Sequence, residues 1–127
     1  MIKLNKNLPP DFVDDRGEIF KLLDDGKTSI KSVLLITCRK GAVRANHYHK
    51  NDSHYVYMLK GSMEYTEQPL DGKKREMVIV KKGDLVYTPP MMAHAMHFLE
   101  ESSFLTLATE SRHQDAYEED TIRIKVV

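Results

Sequence analysis

The sequence predicts an all-β domain, either a sandwich or a barrel, and two observations lead to this expectation. Short runs rich in β-branched and aromatic residues recur along the chain. Turn residues separate these runs about every 8–12 residues, a spacing typical of sandwiches and barrels. The chain has 127 residues, the length of one domain. We therefore expect a single domain over residues 1–127, with a core barrel at about 30–110, an N-terminal arm at 1–29 and a C-terminal segment at 111–127.

The N-terminal arm is expected to contribute short strands. A turn at residues 14–17 precedes an apolar-rich run at 18–23, and a second turn at 24–26 ends that run. Aspartate and glycine on both sides of the run favour turns. A strand pair is favoured here over one short helix.

The middle of the chain holds the strands expected to form the barrel. Residues 33–38 are an uninterrupted β-rich run, which predicts a buried strand. Residues 55–59 combine β-branched and aromatic side chains, which also favour a strand. Further strands are expected at residues 42–49, 62–66, 77–80, 85–88, 94–99 and 103–109.

Turn signals and the C-terminal segment complete the expected order. Asp71-Gly72 is a hairpin signal, and Pro89-Pro90 cannot lie inside a central strand. Residues 117–120 are compatible with a helical turn. Residues 121–126 alternate between apolar and polar side chains, which predicts an edge strand.

Composition and charge exclude several classes of protein. The 19 Lys and Arg residues balance 19 Asp and Glu residues, so the formal net charge is zero. This balance gives no attraction for a nucleic acid or an anionic membrane, and no apolar run is long enough to span a bilayer. Cys38 is the only cysteine, and the N-terminus shows no signal-peptide pattern. We therefore expect a cytoplasmic protein that binds neither nucleic acid nor membranes.

Four of the six histidines have a spacing that indicates a metal site. His47 and His49 are two residues apart, so on a strand both side chains face the same side. His54 follows a short polar turn, and His94 follows the Pro89-Pro90 break. Converging neutral imidazoles suit a divalent transition metal such as Zn, Ni, Fe, Mn or Cu.

The same residues resemble the two sequence motifs of the cupin family. The first motif is matched in order by Gly41, His47, His49, His54 and Gly61, with His54 where the family usually has glutamate. The second is matched by Gly83, Pro89 and His94, although Met91 replaces the usual glycine and Phe98 the usual asparagine. The resemblance implies a double-stranded β-helix, a jelly-roll barrel, that holds one metal through His47, His49, His54 and His94.

Strand alternation predicts which other side chains share the interior with the histidines. It places Val43 and Ala45 inside and Arg44 outside on the strand that carries His47. It turns His97 outward. The substrate pocket is expected to be largely apolar, with walls formed by Val56, Met58, Met96 and Phe98.

The predicted metal site favours a metal-dependent enzyme that acts on a small oxygenated carbon compound. A metal held by histidines can polarise a carbonyl or an enol, with dioxygenase-type or isomerase-type chemistry left open. The ligand set contains no carboxylate, so His54 released from the metal is the first candidate for a catalytic base. Tyr65 and Tyr87 are further candidates for moving a proton.

Two alternatives stay open. Asp15-Arg16-Gly17 and residues 43–50 are similar to small cupins of nucleotide-sugar metabolism, the 3,4-ketoisomerases and 3,5-epimerases. This resemblance implies that His47 and His49 act as acid and base without a metal, although the strand at 33–36 lacks the expected aromatic residues and His54 replaces a usual glutamine. The third possibility is a non-catalytic module that binds a small molecule or a metal.

A homodimer is expected from unpaired apolar segments. The apolar N-terminal arm and the edge strand at residues 122–127 could each pair with a second subunit.

Overall fold

The computed structural model describes all residues from 1 to 127 and contains twelve strands and one short helix. In chain order the elements are β1 (Lys3–Asn5), β2 (Phe12–Asp14), β3 (Gly17–Ile19), β4 (Ser32–Cys38), β5 (Val43–His49), β6 (His54–Lys60), β7 (Ser62–Pro69), β8 (Glu76–Lys81), β9 (Leu85–Thr88), β10 (Met92–Phe98), β11 (Ser102–Ala108), α1 (Gln114–Asp120) and β12 (Thr121–Arg123).

The strands form two five-stranded antiparallel sheets that face each other as a jelly roll. Sheet I has the order β1-β9-β6-β11-β4, and sheet II has the order β12-β5-β10-β7-β8. Strands β2 and β3 form a separate hairpin. The predicted all-β class and the double-stranded β-helix are therefore confirmed.

The core lies between the two sheets because one face of each strand is apolar. On β6 the inward residues Val56 and Met58 are buried, and their neighbours are only half-buried. Phe98 of sheet II stacks on Phe104 of sheet I with ring centroids 5.6 Å apart. Both rings are fully buried, so this contact joins the sheets at the centre of the core.

The strand predictions agree with the structure in the barrel and less well at the ends of the chain. All eight barrel strands lie where the sequence places them, within about two or three residues. In the arm the run at 18–23 gives only the short strand β3, and β1 was not predicted. The predicted helical turn is the seven-residue helix α1, and no helix in the chain has the length and apolarity needed to cross a membrane.

A β-bulge in β5 makes the predicted alternation wrong in that strand. His47 is opposite His94, but Ala45 is opposite Ala95, so Asn46 is an extra residue without a partner. Ala45 and Asn46 have φ angles of 70° and 54°, in the left-handed region.

The bulge changes which residues of β5 enter the interior. Val43 was expected inside but is 47% exposed. Arg44 was expected outside; it is exposed, but it is opposite the buried Met96 and lines both the cavity and the neighbouring cleft. The extra residue reverses the prediction at Val43 and Arg44, because side chains alternate with a period of two, whereas Ala45 lines the cavity as predicted.

Candidate functional site

Four histidines from three neighbouring strands converge at one end of the barrel interior. His47 and His49 come from β5, His54 begins β6, and His94 lies in β10. The ring centroid of His47 lies 4.5 Å from that of His49 and 4.8 Å from that of His94. The centroid of His54 lies 5.2 Å from that of His94. The structure thus brings together all four histidines that the sequence singled out.

Hydrogen bonds on the outer side of two rings fix their tautomers. His94 Nδ1 lies 2.9 Å from the carbonyl oxygen of Met92, which can only accept, so Nδ1 carries the proton. The hydroxyl of Thr121 donates to the Tyr117 carbonyl and therefore accepts from His49 Nδ1 at 3.2 Å. The Nε2 atoms of His49 and His94 are consequently bare acceptors, and both are buried without a hydrogen-bond partner.

Two carboxylates lie beside the histidines. Asp120 Oδ2 is 3.6 Å from His49 Nδ1. Asp52 Oδ2 is 3.6 Å from His54 Nδ1 and 3.9 Å from His49 Nε2, and Asp52 is only 2% exposed. Both carboxylates are placed to stabilise a positive charge on His49 or His54.

Burial keeps the histidine rings neutral at pH 7. Burial, followed by the neighbouring histidines, lowers the pKa of His47 to about 3. The same causes lower the pKa of His49 to about 4, against the opposing effect of Asp52. Burial also lowers the pKa of His54 and of His94. Neutral rings with bare nitrogens can accept a proton or bind a metal.

The carboxylate of Asp52 stays ionised in this buried position. Burial alone would raise its pKa, but the contacts with His54 and Arg112 outweigh that effect and the pKa of Asp52 lies below its usual value. Arg112 Nη2 donates to Asp52 Oδ2 at 2.9 Å, and the backbone NH of Glu110 donates to Oδ1 at 3.0 Å.

The histidines line a cavity of about 120 Å³, whose wall contains both polar and apolar side chains. The predicted pocket residues Val56 and Met96 form part of its wall, whereas Met58 and Phe98 are buried in the core and do not line it. Arg44 and Arg112 also line this cavity, so its wall carries charged groups that the prediction of a largely apolar pocket did not include.

A larger open cleft of about 620 Å³ shares Arg44 with the histidine cavity. Arg44 Nε donates to Cys38 Sγ at 3.0 Å, and Nη2 donates to the Thr37 carbonyl at 3.2 Å. Arg39 and Lys60 also line this cleft, with Glu101 as the only acidic residue. The cleft therefore carries excess positive charge beside the entrance to the cavity.

The two tyrosines considered as proton carriers lie outside the cavity. Tyr65 is buried in the core, where its hydroxyl lies 2.6 Å from both Glu67 Oε2 and Thr88 Oγ1. Burial and the Glu67 carboxylate raise the pKa of Tyr65 well above its usual value. Tyr87 packs against Tyr55 at 4.8 Å on the outer face of sheet I. His97, as expected, lies on the outer face of sheet II, paired with Glu64 at 2.8 Å.

The sequence reasoning missed residues that the C-terminal segment brings to the site. The ring centroids of Tyr117 and His49 are 5.6 Å apart, and Arg112 lines the cavity. Their approach depends on β12 pairing with β5, where Thr121 is opposite His49. Nothing local in the sequence indicates this pairing. Asp52 could have been identified from the sequence, because it lies only two residues before His54 and is therefore near the histidines in any fold.

Three of the four histidines are close enough to share one transition metal, whereas His54 forms a separate candidate group with His49 and Asp52. The ligand nitrogens of His47, His49 and His94 all lie within 4.8 Å of one another. Bare, buried Nε2 atoms without partners are costly unless a proton or a cation satisfies them. The donor set is imidazole, which suits the divalent metals considered above.

Comparisons with known proteins give a consistent picture of the fold. The family model described as Cupin domain matches residues 34–109. No curated protein sequence matches the chain significantly. Among solved structures, the chain is 26% identical to a sugar 3,4-ketoisomerase from Thermoanaerobacterium thermosaccharolyticum in complex with TDP, with a TM-score of 0.74 and coverage of 96% of this chain and 87% of that chain.

Two further structures are similar. A TDP-quinovose 3,4-ketoisomerase from Campylobacter jejuni is 26% identical, with a TM-score of 0.74 and coverage of 93% of this chain and 95% of that one. A dTDP-4-dehydrorhamnose 3,5-epimerase from Sulfolobus tokodaii shares the fold, with 18% identity, a TM-score of 0.74 and coverage of 91% of this chain and 73% of that one.

Proposed function

Because this chain belongs to the cupin domain family, we propose, as the function its site supports best, that it is a nucleotide-sugar isomerase of the 3,4-ketoisomerase or 3,5-epimerase type. The observation that carries the proposal is the bare Nε2 of His49, buried beside His47 and His94, with Asp120 on the opposite side of the ring. This arrangement suits a base that removes a proton from carbon and then returns it. The similarity to two 3,4-ketoisomerases supports the same reaction class.

The shape and charge of the site support a substrate with a small reacting end and an anionic end. The cavity of about 120 Å³ is much smaller than pockets that enclose whole drug-sized ligands. We propose that the sugar ring enters at the histidines and that the diphosphate lies in the basic cleft. Arg44 borders both spaces, so it is placed to hold the phosphate nearest the sugar.

The proposed reaction needs only proton transfers. His49 Nε2 takes the proton from the carbon beside the ketone, and Asp120 stabilises the imidazolium that forms. The electron pair moves to the carbonyl oxygen and gives an enediolate. His47, whose ring lies 4.5 Å from that of His49, takes part in the proton exchange. No oxidant or reductant is consumed, because one carbon is oxidised as its neighbour is reduced.

The test is turnover of a TDP-linked 4-keto-6-deoxyhexose in D₂O with a metal chelator present, followed by NMR. We expect deuterium to enter the sugar carbons next to the keto group and the keto position to change. The His49→Asn variant should lose this activity, whereas His97→Asn, on the outer face, should keep it. Absence of both exchange and isomerisation with the wild-type protein would overturn the proposal.

A second candidate function is a metal-dependent enzyme that acts on a small oxygenated carbon compound. The specific observation in its favour is the pair of bare, buried Nε2 atoms on His49 and His94. His47, His49, His54 and His94 would hold the metal, which would polarise a carbonyl or enol of the substrate. Elemental analysis should then find about one metal ion per chain in the wild type. The His49→Ala variant should lose this metal, and the His97→Ala variant should keep it. Full activity of the metal-free protein would exclude this candidate.

We further propose a homodimer in which the outer faces of sheet I pack together. Two rows of apolar side chains cross four strands of this face in register: Val33, Leu107, Tyr55 and Tyr87 in one, and Leu35, Leu105, Tyr57 and Leu85 in the other. Val33 and Leu35 are 63% and 66% exposed, which is unusual for a monomer surface. The edge strand β12 is only three residues long and offers few backbone groups for pairing, so it is a weaker candidate than this face.

The size and charge of this face fit a second copy of the chain. Three strands of seven residues and one of four cover an area of about 400 Å², before the relief of the side chains is counted. A typical interface buries roughly 800 Å² on each partner, and the exposed apolar residues Phe12, Val13 and Ile19 of the β2–β3 hairpin can supply part of the remainder. The formal net charge of zero does not oppose self-association.

The cytoplasm is proposed as the compartment. The single cysteine, Cys38, is buried and has no partner for a disulfide within the chain, a cysteine usage typical of reducing compartments.

A further inference from the structure

Arg112 reaches the histidine cavity from a segment that lies outside the barrel strands. It follows β11 by four residues and precedes α1. Its side chain is 17% exposed and lines the cavity together with His47, His49, His54 and His94. The guanidinium is thus part of the inner wall and not of the protein surface.

Two contacts hold this guanidinium in a fixed orientation. Nη2 donates to Asp52 Oδ2 at 2.9 Å. The central guanidinium carbon lies 5.2 Å from the centre of the Tyr117 ring, within the range of a cation–π contact. Nη2 makes the only hydrogen bond of the group, and Nε is buried without a partner. The group is therefore restrained and still has unused donors.

Arg112 brings a permanent positive charge to the wall that the histidines share. Its charge contributes to the low pKa of His47, His49 and His54. The other cation of the cavity, Arg44, is turned towards Cys38 and Thr37 at the cleft. The neutral histidines can exchange protons, but they cannot supply a fixed positive charge to a substrate oxygen.

We propose that Arg112 is a catalytic residue that donates a hydrogen bond to the oxygen that becomes negatively charged in the enediolate, an inference that rests on the proposed isomerase function. When His49 removes the proton from carbon, the new C=C bond forms and the carbonyl π electrons move to oxygen. The Arg112 guanidinium stabilises that oxygen. A proton is then placed on this oxygen and one is lost from the neighbouring hydroxyl. The proton held by His49 is returned to the carbon that carried the ketone, so no atom is gained or lost.

Asp52 has a positioning role in this arrangement. It fixes one edge of the guanidinium and is itself held by the backbone NH of Glu110. A preorganised donor needs no reorganisation when charge develops, and removal of one such donor commonly lowers kcat by about 10²–10³-fold.

The experiment compares Arg112→Gln and Arg112→Lys with the control Arg75→Lys, which changes an exposed arginine before β8. The assay uses a TDP-linked 4-keto-6-deoxyhexose in D₂O and measures kcat, KM and deuterium exchange. We expect Arg112→Gln to lower kcat and exchange about 100-fold or more with KM changed less than about threefold. Arg112→Lys, which keeps the charge, should recover part of the loss, and Arg75→Lys should match the wild type.

The possible outcomes separate this inference from the proposed function. If the wild-type protein neither exchanges nor isomerises the sugar, the proposed function fails and the role of Arg112 fails with it. If the wild type is active and Arg112→Gln keeps its kcat, only the role of Arg112 is overturned. The role of Arg112 is also overturned if the variant shows a higher KM and a lower thermal stability but an unchanged kcat. That result would mean that Arg112 has only a structural role. TDP binding measured by calorimetry should remain intact in Arg112→Gln, which shows that the variant is folded.

Discussion

Asp52 and Arg112 are 60 positions apart in the sequence, and their charged groups meet at 2.9 Å beside the buried histidines. Asp52 is held in the polar turn between β5 and β6, and Arg112 arrives from the segment after β11. The pair therefore fastens the C-terminal segment to the end of the barrel that holds the histidines. Several expected properties of the protein depend on this contact.

Replacing Asp52 by asparagine should destabilise the fold substantially. The change leaves the Arg112 guanidinium largely buried without its counter-charge, and breaking one partner of a buried ion pair costs about 3 kcal/mol or more. Urea unfolding followed by circular dichroism measures the loss. The control Asp71→Asn, at an exposed hairpin, should change the free energy of unfolding by less than about 0.5 kcal/mol. Equal stability of the two variants would show that the Asp52–Arg112 pair contributes nothing.

Acid should weaken the fold well before the carboxylates titrate. His47 and His49 have pKa values of about 3 and 4 in the folded chain, below the ordinary value of 6.5. At pH values between the folded and the ordinary pKa, the unfolded chain therefore binds more protons than the folded chain. The stabilisation that comes from keeping these rings neutral is complete above about pH 6.5 and decreases as the pH is lowered towards 4.

Urea unfolding at pH 7.5, 6.0 and 5.0, with a chelator present, checks this dependence. The His47→Gln variant replaces one titrating ring by a neutral amide, and its stability should fall less steeply. A free energy of unfolding that stays constant from pH 7.5 to 5.0 in the wild type would contradict the prediction.

The bulge in β5 should respond in opposite ways to two neighbouring substitutions. Ala45 has a φ of 70°, a region in which glycine is not strained, so Ala45→Gly should be neutral or stabilise by up to about 1 kcal/mol. Asn46 tolerates its φ of 54°, and its side-chain oxygen accepts from the backbone NH groups of Val126 and Val127. Asn46→Val should therefore cost about 2 kcal/mol or more.

Thermal unfolding of both variants measures the difference. If Asn46→Val is as stable as the wild type, the left-handed conformation and the C-terminal contacts at this residue do not matter to the fold.

The proposed dimer predicts that a charge on one apolar face changes the mass in solution. Light scattering should give the wild type twice the 14.7 kDa mass of one chain. Leu35→Lys places a charge among the exposed apolar side chains of the outer face of sheet I and should give a monomer. Val43→Lys is the matched control, because Val43 is also exposed and apolar but lies on sheet II. A Leu35→Lys dimer, or a monomeric wild type, would contradict the prediction.

The barrel and the histidine cluster could be predicted because both depend on regular spacing. Period-two alternation places Val56 and Met58 inside, and two residues separate His47 from His49 on one strand. The bulge could not be predicted in this way, because alanine has no preference for a left-handed φ, and a single extra residue reverses the alternation before it.

The residues that the C-terminal segment brings to the cavity could not be predicted from the sequence either. Arg112 and Tyr117 reach the histidines only because the C-terminal segment folds back and β12 pairs with β5. This contact links residues about 70 positions apart, and no local pattern in either segment indicates it. Tyr65 was a candidate for moving a proton, but Glu67 and Thr88 hold its hydroxyl in the core, away from the cavity, and no local pattern indicates these contacts.

The bulge at Asn46 determines which side chain of β5 lies beside the histidines. A relative of equal length whose β5 ran without the bulge would turn Val43 inward and Arg44 outward, because simple alternation from His47 places every second residue inside. Such a relative would present an aliphatic side chain where this chain presents a guanidinium, with the histidines unchanged. A change of backbone conformation at two residues, with no insertion or deletion, would thus replace a cation by an apolar group next to the cavity.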